Sequence, residues 1–272
     1  MARPLFDDID QVAARVAGAP HLIVFLDFDG TLAAIAQEPA LAGLSPHMDR
    51  VLRALAEQPH VSLAILSGRE RADLQSRIGI PGLTYAGNHG LEIQGHGFIF
   101  VEPTAAQCTE ATKELAAAIS RKIQGIEGAL VEDKGLTLAV HYRLVPEDKV
   151  EELRRLVHSV LAASNHPFQL STGDKVYEIR PRVYWSKGTA IDWIRQQLDK
   201  PGALPIYVGE DEDAFAVLPD GLTVKAGGAG ETAARYSLAD TAEVRKFLEW
   251  LDQQLRLKEA STPVIRGSQV RV

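Results

Sequence analysis

Residues 22–31 read Leu-Ile-Val-Phe-Leu-Asp-Phe-Asp-Gly-Thr, and their order decides the architecture. The apolar run Leu22 to Leu26 stops at Asp27. A run this short, apolar at every position instead of at alternate ones, predicts a strand covered on both faces, as in a parallel sheet. Residues two apart on an extended segment share a side, so Asp27 and Asp29 address one point while Phe28 turns toward packing. Gly30 lets the chain leave the strand sharply. Two neighbouring carboxylates repel, and each is pushed toward protonation unless a cation joins them. Oxygen-only sets of this kind suit Mg²⁺, and a carboxylate beside a metal can act as a nucleophile that forms an acyl phosphate.

Working outward, two further apolar runs end the same way. Val61 to Leu66 stops at Ser67-Gly68-Arg69, and Pro205 to Val208 stops at Gly209-Glu210-Asp211. Shorter strand-like runs cover Leu83 to Ala86 and Leu222 to Lys225. Between the first two long runs, Met48, Val51, Leu52 and Leu55 recur at helical spacing and predict a helix over Pro46 to Glu57. A strand–helix–strand unit of this length implies a right-handed parallel crossover. Open α/β sheets bind ligands at the carboxyl ends of their strands. Here those ends carry Asp27, Asp29, Ser67, Arg69, Glu210 and Asp211.

The middle of the chain has another rhythm. A helix is predicted over Thr104 to Ile123, then strands over Ala129 to Asp133 and Leu136 to Arg143 around Lys134-Gly135. A second helix follows over Asp148 to Ala163, then a hairpin of Phe168 to Ser171 and Lys175 to Arg180. Helix, two strands, helix, two strands is an α+β module. The reading is therefore an α/β chain: a Rossmann-like core with a parallel sheet, residues 1–104 and 181–260, interrupted by an inserted α+β domain, residues 105–180. The last helix, Ala242 to Leu257, carries an apolar stripe, and residues 261–272 read as a flexible tail.

The chain has 272 residues, 46% of them hydrophobic and 24% charged, which is ordinary for a globular protein and excludes wholesale disorder. No apolar run reaches the roughly 18 residues of a membrane span. The net charge of −7, without a basic block, speaks against nucleic acid. A single cysteine, Cys108, excludes an internal disulfide and a Cys-based zinc site. Residues 1–20 lack a signal-peptide pattern, so a cytoplasmic protein is expected. A monomer is the favoured state.

Asp27-Phe-Asp-Gly-Thr31 resembles motif I of the haloacid dehalogenase-like phosphatases. In that superfamily the first Asp attacks phosphorus, and the second protonates the leaving group and then deprotonates water. Ser67 resembles motif II, which holds the phosphoryl group. Lys187, in Trp185-Ser-Lys-Gly188, resembles motif III, which screens its charge. Gly209-Glu-Asp211 resembles motif IV, which completes a Mg²⁺ site. The insertion between motifs II and III is the C2 type of cap. Four further segments are similar to those of the trehalose-6-phosphate phosphatases: Leu66-Ser-Gly-Arg69, Tyr85-Ala-Gly-Asn-His-Gly-Leu-Glu92, Glu132 to Arg143, and Gly173 to Pro181 with one inserted residue. That resemblance covers roughly Leu22 to Leu251 and implies Mg²⁺ and trehalose 6-phosphate as cofactor and substrate. Motif IV departs from the family's G-D-D-x-T-D-E-D-A-F. Gly209-Glu-Asp-Glu-Asp-Ala-Phe215 is three residues shorter and has Glu210 at the first Asp, which leaves Glu210 and Asp211 both open as the metal ligand.

The resemblance adds Lys134, His141, Arg143, Lys175 and Glu178 as substrate-binding groups on the cap. Gly68, Arg69, Asn88 and His89 are their counterparts on the core. Taken alone, each cap residue is equally an exposed cross-strand ion pair, and Arg69 is equally a helix-start ion pair. Gly227-Gly-Ala-Gly230 reads as a turn, Trp185 as packing and Cys108 as a bystander. Two other functions fit the same residues: hydrolysis of a different phosphosugar, and phosphosugar binding or regulation with weak catalysis.

Overall fold

In a computed structural model of the chain, residues 2–36, 39–227 and 230–261 are described. The first part holds β1 (Arg3–Pro4), α1 (Ile9–Gly18), β2 (Leu22–Asp27), α2 (Pro46–Ala56), β3 (Val61–Leu66), α3 (Arg71–Ile78), β4 (Thr84–Gly87), β5 (Glu92–Gly95) and β6 (Phe98–Val101). Next come α4 (Pro103–Gln107), α5 (Thr109–Ile123), β7 (Leu130–Asp133), β8 (Leu138–His141), α6 (Glu147–Ala162), β9 (Phe168–Gly173) and β10 (Val176–Pro181). The chain then continues through α7 (Lys187–Leu198), β11 (Leu204–Gly209), α8 (Glu212–Ala216), β12 (Leu222–Ala226), β13 (Tyr236–Leu238) and α9 (Thr241–Ser261).

Among the described residues the strands form two sheets. The larger runs β1-β13-β12-β11-β2-β3-β4-β5-β6, parallel from β1 to β4 and antiparallel at β5 and β6. β2 lies in its middle, between β11 and β3. Its alternation feeds two cores. Leu22, Val24 and Leu26 pack with Leu52, Leu55, Phe247, Leu248 and Leu251 on one face. Ile23 and Phe25 pack with Ile191, Ile194 and Tyr207 on the other. Burial on both faces is why the run is apolar at every position. Phe25 is fully buried, and Phe25→Ala would cost about 3–5 kcal/mol.

The helices that aim the site start at defined caps. Ser45 accepts a hydrogen bond from the Met48 amide and Pro46 takes the first turn of α2. Ser186 likewise accepts from the Thr189 amide, which fixes the start of α7 at Lys187.

The smaller sheet, β7-β8-β10-β9, is antiparallel. α5 and α6 cover one face through Leu115, Ile119, Leu153 and Val157 against Leu138, Val140, Tyr177 and Ile179. This matches the expected order of an inserted α+β module. Several details differ from expectation, and α1, α3, α7, α8, β1 and β13 are elements beyond those expected. The helix expected over Thr104 to Ile123 is two, α4 and α5, because the backbone at Cys108 turns to φ −88° and ψ 0°. The β5–β6 hairpin was not anticipated, and α9 continues to Ser261. The tail expected over 261–272 lies, from residue 262, outside the described residues, as do Gly228 and Ala229. No helix of the described residues is long and apolar enough to cross a membrane.

Candidate active site

Asp27 ends β2 and is 3% exposed. Lys187, at the start of α7, donates from Nζ to Asp27 Oδ1 at 2.6 Å and to Asp211 Oδ2 at 2.7 Å. Tyr207, on β11 beside Phe25 of β2, donates its hydroxyl to the same Asp211 oxygen at 2.6 Å. One buried ammonium is thus shared by two carboxylates. Burial raises the Asp27 carboxyl to about 7; Lys187 opposes this, while Asp211 and Glu210 add to it. Burial also acts to raise Asp211, but Lys187 and the Tyr207 hydroxyl outweigh it and hold that carboxyl below its usual range. Lys187 is raised: burial opposes its charge, and its two carboxylate partners prevail.

Asp29 follows on the same side. Gly30 takes φ +79° and its amide bonds to the Ala33 carbonyl, the sharp exit the sequence predicted. Arg69 grips Asp29 bidentately, Nε to Oδ2 at 2.9 Å and Nη2 to Oδ1 at 2.8 Å. Its Nη1 donors reach the Pro39 carbonyl at 3.0 Å and Asp73 at 3.3 Å. Ser67 is buried and its hydroxyl accepts from the Arg69 amide at 3.1 Å. Gly68 leaves room for the His89 ring: a Cβ there would stand 2.8 Å from it.

The inserted module supplies the facing wall. Lys134 Nζ donates to the Gly68 carbonyl at 3.0 Å and to Glu178 Oε1 at 3.1 Å. His89 Nε2 stands 3.5 Å from Glu178. Glu132 meets His141 at 2.8 Å, and Arg143 meets Asp174 at 2.7 Å. Burial acts to raise the Glu178 carboxyl, but Lys134 and then His89 outweigh it and bring it down to about 2.

A cavity of about 270 Å³ opens between the two walls. It brings together Asp27, Asp29, Ser67, Gly68, Arg69, His89, Lys134, His141, Arg143, Lys175, Glu178, Lys187, Glu210 and Asp211, all of them singled out in the sequence. Asn88 does not line it. Its amide is fully buried and bonded to Glu92, the Lys134 carbonyl and Thr137. Sequence reasoning missed Glu132 and Asp174, which also line the cavity, and Tyr207, which holds Asp211. Glu132 stood inside the quoted segment, two residues before Lys134 on the same strand side, and that spacing was a usable signal.

The charge balance tests the expected metal. Asp27, Asp29, Glu210 and Asp211 face only Lys187 and Arg69 among the cations bonded to them, an excess of two negative charges. One divalent ion closes that excess. Among the described residues no group of three or more His, Cys, Asp or Glu side chains is set to hold a metal by themselves. Mg²⁺ needs only one or two carboxylates, with water and phosphate oxygens completing its octahedron. Lys187 and Tyr207 both bond Asp211 Oδ2, so Asp211 Oδ1 stays open beside Asp27 and Glu210, and both motif IV carboxylates keep an oxygen for such an ion.

The sequence profile described as trehalose-phosphatase matches residues 25–242. The chain is 37% identical over 245 residues to a trehalose-phosphate phosphatase of Mycobacterium bovis, covering 86% of this chain and 62% of that protein. It thus spans about three-fifths of that relative's length. It is 36% identical over 259 residues to trehalose 6-phosphate phosphatase RA3 of Zea mays, covering 86% of this chain and 71% of the relative. The solved C-terminal domain of the C. albicans trehalose-6-phosphate phosphatase superposes with a TM-score of 0.78 at 21% identity, covering 93% of this chain and 98% of that one. The strand-end carboxylates, the shared lysine and the inserted module thus occur in a chain that belongs to the trehalose-phosphatase family.

Proposed function

We propose that this chain is a Mg²⁺-dependent phosphatase that hydrolyses trehalose 6-phosphate to trehalose and phosphate through an aspartyl-phosphate on Asp27. Residues 105–180 act as the cap over a core of residues 1–104 and 181–260. The observation that carries the reading is the shared ammonium: Lys187 lies 2.6 Å from a buried carboxylate at the floor of a cavity whose other wall is polar and comes from the inserted module.

Asp27 attacks phosphorus in line, and the bond from phosphorus to the sugar oxygen breaks. Asp29 gives its proton to that oxygen, then takes one from the water that cleaves the acyl phosphate and frees Asp27. Ser67 and Lys187 hold the equatorial oxygens, where charge is greatest in phosphoryl transfer. Asp27, the Asp29 carbonyl and Glu210 or Asp211 would hold Mg²⁺, which when bound would supply positive charge that keeps Asp27 ionised and offsets the phosphate. Four of the five Arg69 N–H donors are engaged, two of them on Asp29, which has to leave this fork and take up a proton before it acts as the acid; the fifth, on Nη2, stays open to the substrate. Lys134, Glu178, Glu132, His141 and Arg143 offer forks and carboxylates suited to sugar hydroxyls.

The test is phosphate release from trehalose 6-phosphate with Mg²⁺ and with EDTA, beside glucose 6-, sucrose 6- and mannose 6-phosphate. Mg²⁺-dependent release favouring trehalose 6-phosphate is expected. A different preferred sugar replaces the substrate and keeps the mechanism. The substitution of Glu210 at the motif IV ligand favours a second reading, phosphosugar binding without turnover, and no release from any substrate would select it.

A further inference from the structure

Asn88 and His89 are consecutive non-glycine residues in the left-handed region, at φ 49° and 58°. Such backbone persists only where its surroundings over-determine it. Here two sets of bonds hold it. The Asn88 amide donates to the Arg69 carbonyl at 2.6 Å, and the His89 amide to the Ser67 carbonyl at 2.9 Å. The left-handed turn thereby hooks the loop that carries Ser67 and the Arg69 grip on Asp29.

The second set reaches the inserted module. Asn88 Nδ2 donates to Glu92 at 2.7 Å and to the Lys134 carbonyl at 3.0 Å, and its Oδ1 accepts from the Thr137 hydroxyl at 2.5 Å. Thr137 and Asn88 are both 0% exposed. The Lys134 amide bonds in turn to the Thr137 carbonyl at 2.9 Å, which closes the β7–β8 tip. Leu136, between them, packs with Leu91 of the core and with Ala105, where the inserted module begins. The tip of the cap hairpin is thus plugged into the core, and Asn88 is the side chain it is plugged onto.

We propose that Asn88 is a positioning residue that couples the cap to the catalytic loop: the Thr137 hydroxyl orients its amide, which sets Lys134 over the sugar site and braces residues 67–69 from below. The proposal rests on the phosphatase reading above. Both donors of the amide are spent and no surface is exposed, so Asn88 acts through Lys134 and the loop and not on substrate.

Thr137 gives the test, because Thr137→Val keeps the shape and loses the hydroxyl, whereas Thr137→Ser keeps the hydroxyl and loses a methyl. In the full chain, Thr137→Val should raise KM for trehalose 6-phosphate about tenfold with kcat changed less than about threefold, the loss of one buried bond. Thr137→Ser should restore KM to within about twofold, and in a Lys134→Ala background the valine should add less than about twofold, because the two act on one contact. Amide exchange at Asn88 and His89, read without substrate, should quicken about tenfold in the valine variant and not in the serine variant. Unchanged KM and exchange in Thr137→Val, a serine variant worse than the valine one, or full additivity with Lys134→Ala each overturn the coupling. A wild-type chain inert toward trehalose 6-phosphate defeats the phosphatase reading alone; the exchange rates then decide the coupling by themselves.

Discussion

At the floor of the cavity Lys187 is 7% exposed and holds Asp27 and Asp211 within 2.7 Å, while across the opening Arg143 is 31% exposed and meets Asp174, itself 63% exposed. Both are ion pairs of nearly equal length, yet their energetics differ. Charges at the floor have lost their water, so each depends on its partner and removal of one strands the others. Charges at the cap rim keep their water, so a pair can open to take a sugar hydroxyl at little cost. On the proposed function, the floor would hold a fixed charge distribution for chemistry, and the rim would exchange partners when a ligand enters.

The largest expected effects break the floor. Asp27→Asn should lower phosphate release by about 10⁴-fold or more, as removal of a nucleophile does, with the fold intact. Lys187→Ala leaves the buried Asp27 and the part-buried Asp211 without their cation, so it should also destabilise the chain by about 3 kcal/mol. Steady-state turnover and denaturant unfolding of the two variants check this. A Lys187→Ala chain as stable as the wild type would mean that the ammonium is not what holds the carboxylates.

Metal titration sharpens the floor further. Glu210 is exposed, whereas Asp211 is held through Oδ2 by Lys187 and Tyr207. Glu210→Gln should weaken Mg²⁺ binding by about tenfold with little change in stability, the cost of one carboxylate ligand. Asp211→Asn should instead act on stability. Calorimetric titration with Mg²⁺ distinguishes them, and equal losses in Mg²⁺ affinity would show that Asp211 also reaches the ion.

Glu178 lies between the two regimes. Its folded carboxyl lies at about 2, against an ordinary value of 4.5, because Lys134 and His89 outweigh burial. A depressed carboxyl contributes stability that is present above the unfolded value and is lost as pH falls through the folded one. The contribution is about 3 kcal/mol, and the loss should run from pH 4.5 down toward 2. Thermal unfolding of the wild type and Glu178→Gln across that range should give curves that differ at pH 6 and converge in acid. Parallel curves would contradict the assignment.

The same contrast explains what the sequence made legible. Asp27 and Asp211 stand where apolar strands end, and Lys187 follows a capping serine, so local pattern is enough to find them. The parallel core was legible for the same reason: β2 is buried on both faces and cannot hide its pattern. Asn88 is expected as a substrate ligand from the family-like segment Tyr85 to Glu92, but its partners Lys134 and Thr137 are 46 and 49 residues away, at the tip of a hairpin in another sheet. Arg69 was left open between phosphate and ion pair, and only the fold brings Asp29, 40 residues upstream, into its fork. Tyr207 read as one more apolar strand residue; its role comes from the turn after β11, which returns Asp211 to its hydroxyl. The β5–β6 hairpin escaped because Phe98 and Phe100 do not alternate against polar residues: Ile99 and Val101, which follow them in turn, are apolar but exposed.

The smallest expected effect is at the rim, and it tests the comparison most directly. Arg143 donates to the Asp174 carboxylate and to its main-chain carbonyl at 3.0 Å, in an exposed setting. Exposed pairs contribute about 0–1 kcal/mol, so Arg143→Ala should change the unfolding free energy by less than about 1 kcal/mol. If the guanidinium exchanges Asp174 for a sugar hydroxyl, the same variant should raise KM for trehalose 6-phosphate several-fold and leave kcat near the wild-type value, the signature of binding shared by ground and transition states. A loss of stability like that of Lys187→Ala would mean that the rim is built as the floor is. An unchanged KM would mean that the pair stays closed and that the sugar is held deeper in the cavity, by Lys134 and Glu178.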